Sequence, residues 1–257
     1  MKRVGAIVME KVQLKEHERI DDLQCKGLKI IQDTTGFCFG MDAVLLANFC
    51  DIKNNSTVID LGTGTGIIPL LVWAKNKVKK IYGIEIQKDV AEMARRSIRM
   101  NNLEDYIEIL NFDLKEAPEK LGVNQFDAIT TNPPYMEYGG GKVNPEDKKA
   151  ISRHEIKCTL EDVIRVSSRL LRHNGRFFMV HRPHRIVDIL WLLRKYKLEP
   201  KKIRFVHPKV DQKPNLVLVK SIKAAKPELK FERPLYVYND DGTYTDEIYE
   251  IYNMNKA

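Results

Sequence analysis

One short run restricts this chain more than any other: Asp60-Leu-Gly-Thr-Gly-Thr-Gly66, which completes the apolar stretch beginning at Thr57-Val-Ile. Three glycines at alternate positions let the backbone turn sharply. They also let a ligand approach where a Cβ would otherwise stand. The residues that follow, from Ile67 to Lys75, place Ile67, Leu70, Leu71 and Ala74 at helical spacing. A strand passing through such a turn into a helix opens a nucleotide-binding α/β sheet. By itself the turn fits a Rossmann dehydrogenase, where it faces a pyrophosphate.

The alternation continues along the chain. Lys80-Ile-Tyr-Gly-Ile-Glu85, Ile107-Glu-Ile-Leu110, Phe126-Asp-Ala-Ile-Thr130 and Arg176-Phe-Phe-Met-Val180 predict strands. Ile203-Arg-Phe-Val206 and Leu216-Val-Leu-Val-Lys220 supply two more. Val90, Met93, Ala94 and Ile98 mark the buried stripe of a helix ending near Asn101-Asn102. A helix from Thr159 is expected to stop at Asn174-Gly175, and another to run from Arg185 to Tyr196. The pattern predicts an α/β fold, a seven-stranded, mostly parallel sheet with helices on both faces. A single domain spanning 1–257 is expected, with its core over 51–222. Residues 1–50 add a hairpin, Glu18 to Asp33, turning at Lys26-Gly27, and a helix capped by Asp42. Residues 223–257 form a C-terminal extension in which Pro234 to Tyr238 predicts a strand, Asn239 to Gly242 a turn, and the end a short helix. The stretch from Met136 to Arg153, rich in glycine and charge, reads as a mobile loop.

Charge is unevenly distributed. The net +8 divides into +14 over residues 165–230, where 18 Lys or Arg face four Asp or Glu, −4 over the tail from Phe231, and −2 elsewhere. A basic half of this kind suits a polyanion such as nucleic acid, although a solvated basic surface produces the same count. Arg182, Arg185, Lys201, Lys202, Arg204, Lys209 and Lys213 are the candidate phosphate contacts, near strand ends or loops. His181 and His184 have no third ligand at metal-binding spacing, so surface or RNA contact is expected and no metal. Cys25, Cys38, Cys50 and Cys158 form no C-x-x-C pair and read as buried thiols of a reducing compartment. No apolar run reaches the roughly 20 residues of a membrane span. Gly5-Ala-Ile-Val-Met9 is too short for a signal peptide, so a cytoplasmic protein is expected.

Two acids distinguish the ligand. Asp60, just before the glycines Gly62, Gly64 and Gly66, would repel a diphosphate but attract the cationic amino group of a methionine. Glu85 ends the second core strand, where a carboxylate can accept both hydroxyls of a ribose. Together they favour S-adenosylmethionine over NAD. Asn111-Phe-Asp113 follows the third core strand and could contact the adenine amino group. Thr63, Ile86 and Leu114 neighbour these positions and join the candidate cofactor set, as does Asn132 at the end of the fourth core strand. Upstream, Phe37 or Phe39 could close over the cofactor, although their loop is explained as readily by a helix covering the sheet.

The fourth core strand runs into Asn132-Pro133-Pro134-Tyr135. Two prolines after a strand can be a stiff turn, but all four residues suit one chemistry. An adenine amino nitrogen delocalises its lone pair into the ring and is a poor nucleophile. The Asn132 side-chain carbonyl and the Pro133 backbone carbonyl can each accept one of its N–H groups. Held at both hydrogens, the nitrogen can pyramidalise and aim its lone pair at a methyl group, on a backbone that prolines preorganise. Tyr135 offers a face on which an extracted base can stack.

Asp60 to Gly66, Glu85 and Asn132 to Tyr135 together resemble class I methyltransferases that act on planar amino nitrogens. The chain is most similar to the bacterial tRNA adenine-N6 methyltransferase family that modifies a valine tRNA near its anticodon. The likeness runs from Gly36-Phe-Cys-Phe-Gly-Met-Asp-Ala-Val-Leu-Leu-Ala47 to about Lys220 and includes Arg153-His154-Glu155; Tyr236 to Tyr244 is similar to the tail of Gram-positive members. The resemblance implies a Rossmann-like class I methyltransferase fold. It implies a cofactor site at Asp60, Gly62, Gly64, Glu85 and Asp113, with S-adenosylhomocysteine as product and Asn132 and Tyr135 at the target base. Arg153 and His154 become candidate substrate-loop residues. The expected partner is RNA, most readily tRNA, with the protein a monomer or weak dimer. Three alternatives stay open. A protein glutamine methyltransferase uses the same four residues on another planar nitrogen, but usually carries an N-terminal helical domain. A DNA adenine methyltransferase lacks support from any recognition domain. A non-catalytic RNA-binding protein would have no need of Asn132 to Tyr135.

Overall fold

The computed structural model describes residues 13–36, 38–133 and 158–254. The loop expected over Met136 to Arg153 lies outside the described residues. Strands β1 (Glu18–Asp22) and β2 (Lys29–Asp33) form an antiparallel hairpin, followed by α1 (Met41–Phe49). Lys26 and Gly27 turn the hairpin with left-handed φ values of 51° and 70°. The core then alternates: β3 (Thr57–Leu61), α2 (Ile67–Lys75), β4 (Lys80–Ile84), α3 (Lys88–Met100), β5 (Ile107–Leu110), the short α4 (Ala117–Lys120) and β6 (Phe126–Thr131). After the undescribed segment come α5 (Leu160–Leu170), β7 (Leu171–His181), α6 (Ile186–Lys195), β8 (Leu198–His207) and β9 (Leu216–Lys223). The extension supplies β10 (Lys230–Phe231), β11 (Leu235–Tyr236) and α7 (Asp246–Tyr252).

Seven strands form the expected sheet in the order β8-β9-β7-β6-β3-β4-β5, and only β9 runs against the others. The two-residue strands β10 and β11 both pair with β8, so the extension covers what would be an open edge. Strand residues alternate between two apolar layers. Val58, Ile81, Phe178 and Leu218 pack with α1, α2, α3 and α7 on one face. Ile59, Ile84, Phe177 and Val219 pack with α5 and α6 on the other. A parallel sheet buried on both sides explains why these strands read as continuous apolar runs.

The hairpin is fastened to α3. Arg96 donates two 2.6 Å hydrogen bonds to the Glu18 carboxylate, which holds the Glu18 pKa below the usual carboxylate range. The Ile31 N–H donates to the Ser97 hydroxyl at 2.9 Å, and Asn101 bonds both backbone groups of Lys29.

Three local expectations are corrected. Helix α5 ends at Leu170 rather than at Asn174-Gly175, because Leu171 pairs with Phe126 and the next residues bulge before pairing resumes at Arg176. Asn174 takes a left-handed φ of 59° within that bulge. Gly40, not Asp42, is the N-cap of α1; Asp42 sits in the first turn, where its carboxylate accepts the Ala43 N–H at 3.0 Å. Of the four free cysteines, Cys25 and Cys50 are buried, whereas Cys38 and Cys158 are only half-buried because each lies on a loop. No helix among the described residues is long and apolar enough to cross a membrane.

Candidate active site

Parallel register sets the site. Asp60 pairs with Gly83 on one side and Thr130 on the other, and Leu61 pairs with Ile84 and Thr131. The three strands therefore end level, and the loop 62–66, Glu85 and Asn132 leave the sheet side by side at its carboxyl edge. The loop is pinned by the Gly62 and Thr63 N–H groups, which donate to the Ile84 carbonyl at 3.0 and 2.9 Å. Gly62 and Gly64 have φ of 73° and 55°, and a Cβ at either would meet no protein atom within 4 Å. Their lack of a side chain thus serves the backbone turn and leaves the space above the loop open. A Cβ on Gly83 would meet the Thr63 side chain at 2.9 Å, so a glycine on β4 seats the loop.

Asp60 is 1% exposed. Its Oδ1 accepts a 2.6 Å hydrogen bond from the Thr130 hydroxyl, while Oδ2 is buried with no partner among the described residues. Burial pushes this carboxyl up to about 6; the Thr130 and Thr63 hydroxyls pull it down and the Glu85 charge raises it. Thr63 Oγ1 is likewise buried; it makes no hydrogen bond of good geometry among the described residues, although it lies near enough to Asp60 to favour the ionised carboxylate. An orphaned acceptor in a polar recess calls for a donor from outside the chain, and a cation suits an acid best. Glu85 accepts the Gly64 N–H at 3.0 Å on one oxygen and the Gln87 N–H at 2.9 Å on the other. Each oxygen keeps a second lone pair, so the carboxylate can still accept two vicinal hydroxyls.

The other expected cofactor residues fall around this recess unevenly. Ile86, 40% exposed, follows Glu85. The Asn111 side chain stands beside Glu85. It donates to the carbonyls of Glu85 and Ile86 at 2.8 and 3.1 Å and braces that strand end. Asp113 caps the turn Leu114–Glu116 through the Lys115 N–H at 3.0 Å, with Leu114 half-buried behind it. Phe39 packs on the core beside Val44 and Leu71 and lines a separate cavity with Cys25, Lys75 and Tyr252. That cavity shares no lining residue with the glycine loop or either acid. Asn132 is half-buried and Pro133 buried at the end of β6. Phe37, Pro134, Tyr135, Arg153 and His154 lie outside the described residues.

Sequence reasoning missed Thr130 and Thr131. The Thr131 hydroxyl donates to the Leu61 carbonyl at 2.9 Å, so two consecutive threonines stitch β6 to β3 just before Asn132. The available signal was two hydroxyls on a buried strand directly before Asn-Pro-Pro.

The basic half of the chain also proves partly internal. Lys202 pairs with Glu232 at 2.6 Å and Arg204 with Glu247 at 2.7 Å, and Lys201 approaches Glu228 at 3.9 Å. The acidic extension therefore neutralises the edge strand that carries them. Arg185 pairs with Asp188 at 2.8 Å, Arg182 donates to the Asn215 carbonyl and Lys209 to that of Asp240. Lys213 is exposed on the loop between β8 and β9. Arg182, Lys209 and Lys213 follow or precede strand ends at the same edge as Asn132. His181 is corrected: it is 2% exposed, its burial depresses the imidazole to about 4, and it accepts the Arg182 N–H rather than facing a ligand. Among the described residues no group of three or more His, Cys, Asp or Glu could hold a metal ion.

This strand order, with its single reversed strand, and the acids flanking a glycine loop define a Rossmann-like class I methyltransferase. The chain belongs to the methyltransferase small domain family, whose model matches residues 40–196. It is 25% identical over 232 residues to the tRNA1(Val) (adenine(37)-N6)-methyltransferase of Dyadobacter fermentans, covering 86% of this chain and 90% of that relative. A predicted O-methyltransferase of Agrobacterium tumefaciens superposes with a TM-score of 0.67 at 25% identity, covering 83% of this chain and 96% of that one. Geranyl diphosphate methyltransferase in complex with SAM shares the fold, with a TM-score of 0.54 at 15% identity over 71% of this chain and 84% of that one.

Proposed function

We propose that this chain transfers a methyl group from S-adenosylmethionine to the exocyclic amino nitrogen of an adenine in tRNA. The observation that carries the reading is the convergence of Asp60, Glu85 and Asn132 at three neighbouring strand ends. The unpartnered Asp60 Oδ2 fits the ammonium of the methionine moiety, and Glu85 fits the ribose hydroxyls. Bound there, S-adenosylmethionine supplies an electrophilic methyl on an excellent leaving group, so no general base has to act early. The Asn132 side-chain carbonyl and the Pro133 carbonyl accept the two amino hydrogens and turn the nitrogen lone pair toward that methyl. Forming the N–CH3 bond would break the S–CH3 bond and leave the neutral thioether S-adenosylhomocysteine, and the cationic methylated nitrogen would then lose its proton to solvent water. Tyr135 stacks the flipped base, a contact worth about 1–3 kcal/mol.

The named relative acts on tRNA, and the cations at the carboxyl edge, Arg182, Arg185, Lys209 and Lys213, would contact its phosphates. A tRNA substrate is consistent with a cytoplasmic protein. The test is transfer of labelled methyl to total tRNA, DNA and protein, followed by nucleoside mass spectrometry. N6-methyladenosine in tRNA is expected. Label confined to protein would replace the reading with glutamine methylation, and label confined to DNA with DNA adenine methylation.

A further inference from the structure

The acid assigned to the cofactor does not stand alone. We propose that Thr130 is a positioning residue for cofactor binding: its hydroxyl pins one oxygen of Asp60 so that the other faces the ligand. The inference deepens the function proposed above and rests on Asp60 being the acid that receives the ammonium.

Thr130 is wholly buried, and its hydroxyl reaches Asp60 Oδ1 at 2.6 Å across directly paired positions of β6 and β3. The hydroxyl donates to Oδ1, and a donated hydrogen bond is stronger to an ionised carboxylate than to the neutral acid, so the bond favours the ionised form. It also stops the side chain from rotating to share its oxygens. Oδ2, buried and without a hydrogen bond of good geometry among the described residues although the Thr63 hydroxyl lies near this carboxylate, is then the oxygen left to a cation. The following residue, Thr131, holds the Leu61 carbonyl at 2.9 Å, and the next is Asn132. Cofactor acid and base-gripping asparagine are thereby set on one rigid pair of strands. The titratable groups that face Asp60 are Glu85, at the end of β4, and Cys50, behind α1, whose thiol burial and the Asp60 charge keep protonated.

Thr130→Val keeps the branched shape and deletes the donor. The carboxyl, already pushed to about 6, climbs further toward neutrality. S-adenosylhomocysteine, which carries the ammonium but no sulfonium, is the probe, titrated calorimetrically from pH 5.5 to pH 9. At pH 7 the variant should bind about ten-fold more weakly, the size expected for one hydrogen bond to a charged group. The deficit should shrink as pH rises and Asp60 ionises, leaving only the part due to lost orientation. Thr130→Ser should rescue wild-type binding, and Thr130→Ala should repeat the pH-dependent loss. Wild-type affinity in Thr130→Val across the range overturns the proposal. So does a loss equal at every pH, because a purely structural role would produce that. Failure of the wild-type protein to bind the probe would instead sink the assignment of Asp60 and, with it, the function proposed above.

Discussion

Asp60→Asn should make the ligand-free protein more stable while removing its cofactor affinity. Asp60 has an ordinary pKa of 3.8 when solvated and about 6 when buried at the end of β3. That difference amounts to roughly 3 kcal/mol of destabilisation at neutral pH, at about 1.36 kcal/mol for each tenfold change in proton affinity. The sign follows from proton counts. Between the two values the folded chain holds a proton that the unfolded chain has released, so stability falls as pH rises through 6. Asparagine has nearly the same shape and can still accept from Thr130, but it places an amide where Oδ2 had no partner. Leaving that amide unsatisfied costs about 1 kcal/mol. The net expectation is a gain of about 2 kcal/mol at pH 7.5, or roughly 4–8 °C in Tm for a chain of this size. At pH 4 to 5 wild-type Asp60 is largely protonated, and the advantage should nearly vanish. Urea unfolding at the two pH values measures the difference, with calorimetry confirming the loss of S-adenosylhomocysteine binding. A ligand-free variant that is less stable than wild type at pH 7.5, or a gap that does not shrink on acidification, would show that Asp60 is not a destabilising buried charge.

Asn132→Ala should bind cofactor normally and lose about 100-fold or more in kcat, as removal of a preorganised acceptor does elsewhere. Single-turnover methyl transfer and calorimetry together check this, and loss of cofactor binding would mean the asparagine was misplaced. Arg96→Ala should lower stability by about 3 kcal/mol, because the enclosed Glu18 carboxylate loses both of its 2.6 Å partners. Adding Glu18→Gln should recover part of the loss in urea unfolding; strict additivity of the two changes would mean the pair is not coupled. Glu232→Gln with Glu247→Gln should release Lys202 and Arg204, tighten RNA binding and steepen its salt dependence by up to about one unit of slope per cation. Filter binding from 50 to 200 mM salt reads both effects, and unchanged curves would show that those cations stay out of reach of RNA.

Much of the fold was legible because its signals are local. Apolar runs of strand length, helical periodicity from Ile67 and Val90, and the turn at Lys26-Gly27 each depend on near neighbours in the chain. Glu85 was legible for the same reason, since a parallel strand must end somewhere and a carboxylate there faces the carboxyl edge. The bulge after Leu171 was not, because only pairing with Phe126 makes strand out of residues that read as helix. His181 looked like a surface group, yet it is buried at the end of β7, which no local pattern announces.

Residue type and short spacing were enough to single out the side chains on which the proposed chemistry rests: Asp60 with its three glycines, Glu85, and Asn132 with Pro133. Tertiary structure alone decided how that chemistry is held and how much charge reaches solvent. Thr130 lies 70 residues beyond Asp60, and only parallel register brings its hydroxyl to that carboxylate. The basic edge strand and the acidic tail are likewise separate segments whose charges meet through β10 and β11. Contacts between distant segments depend on strand order and register, which local composition does not encode.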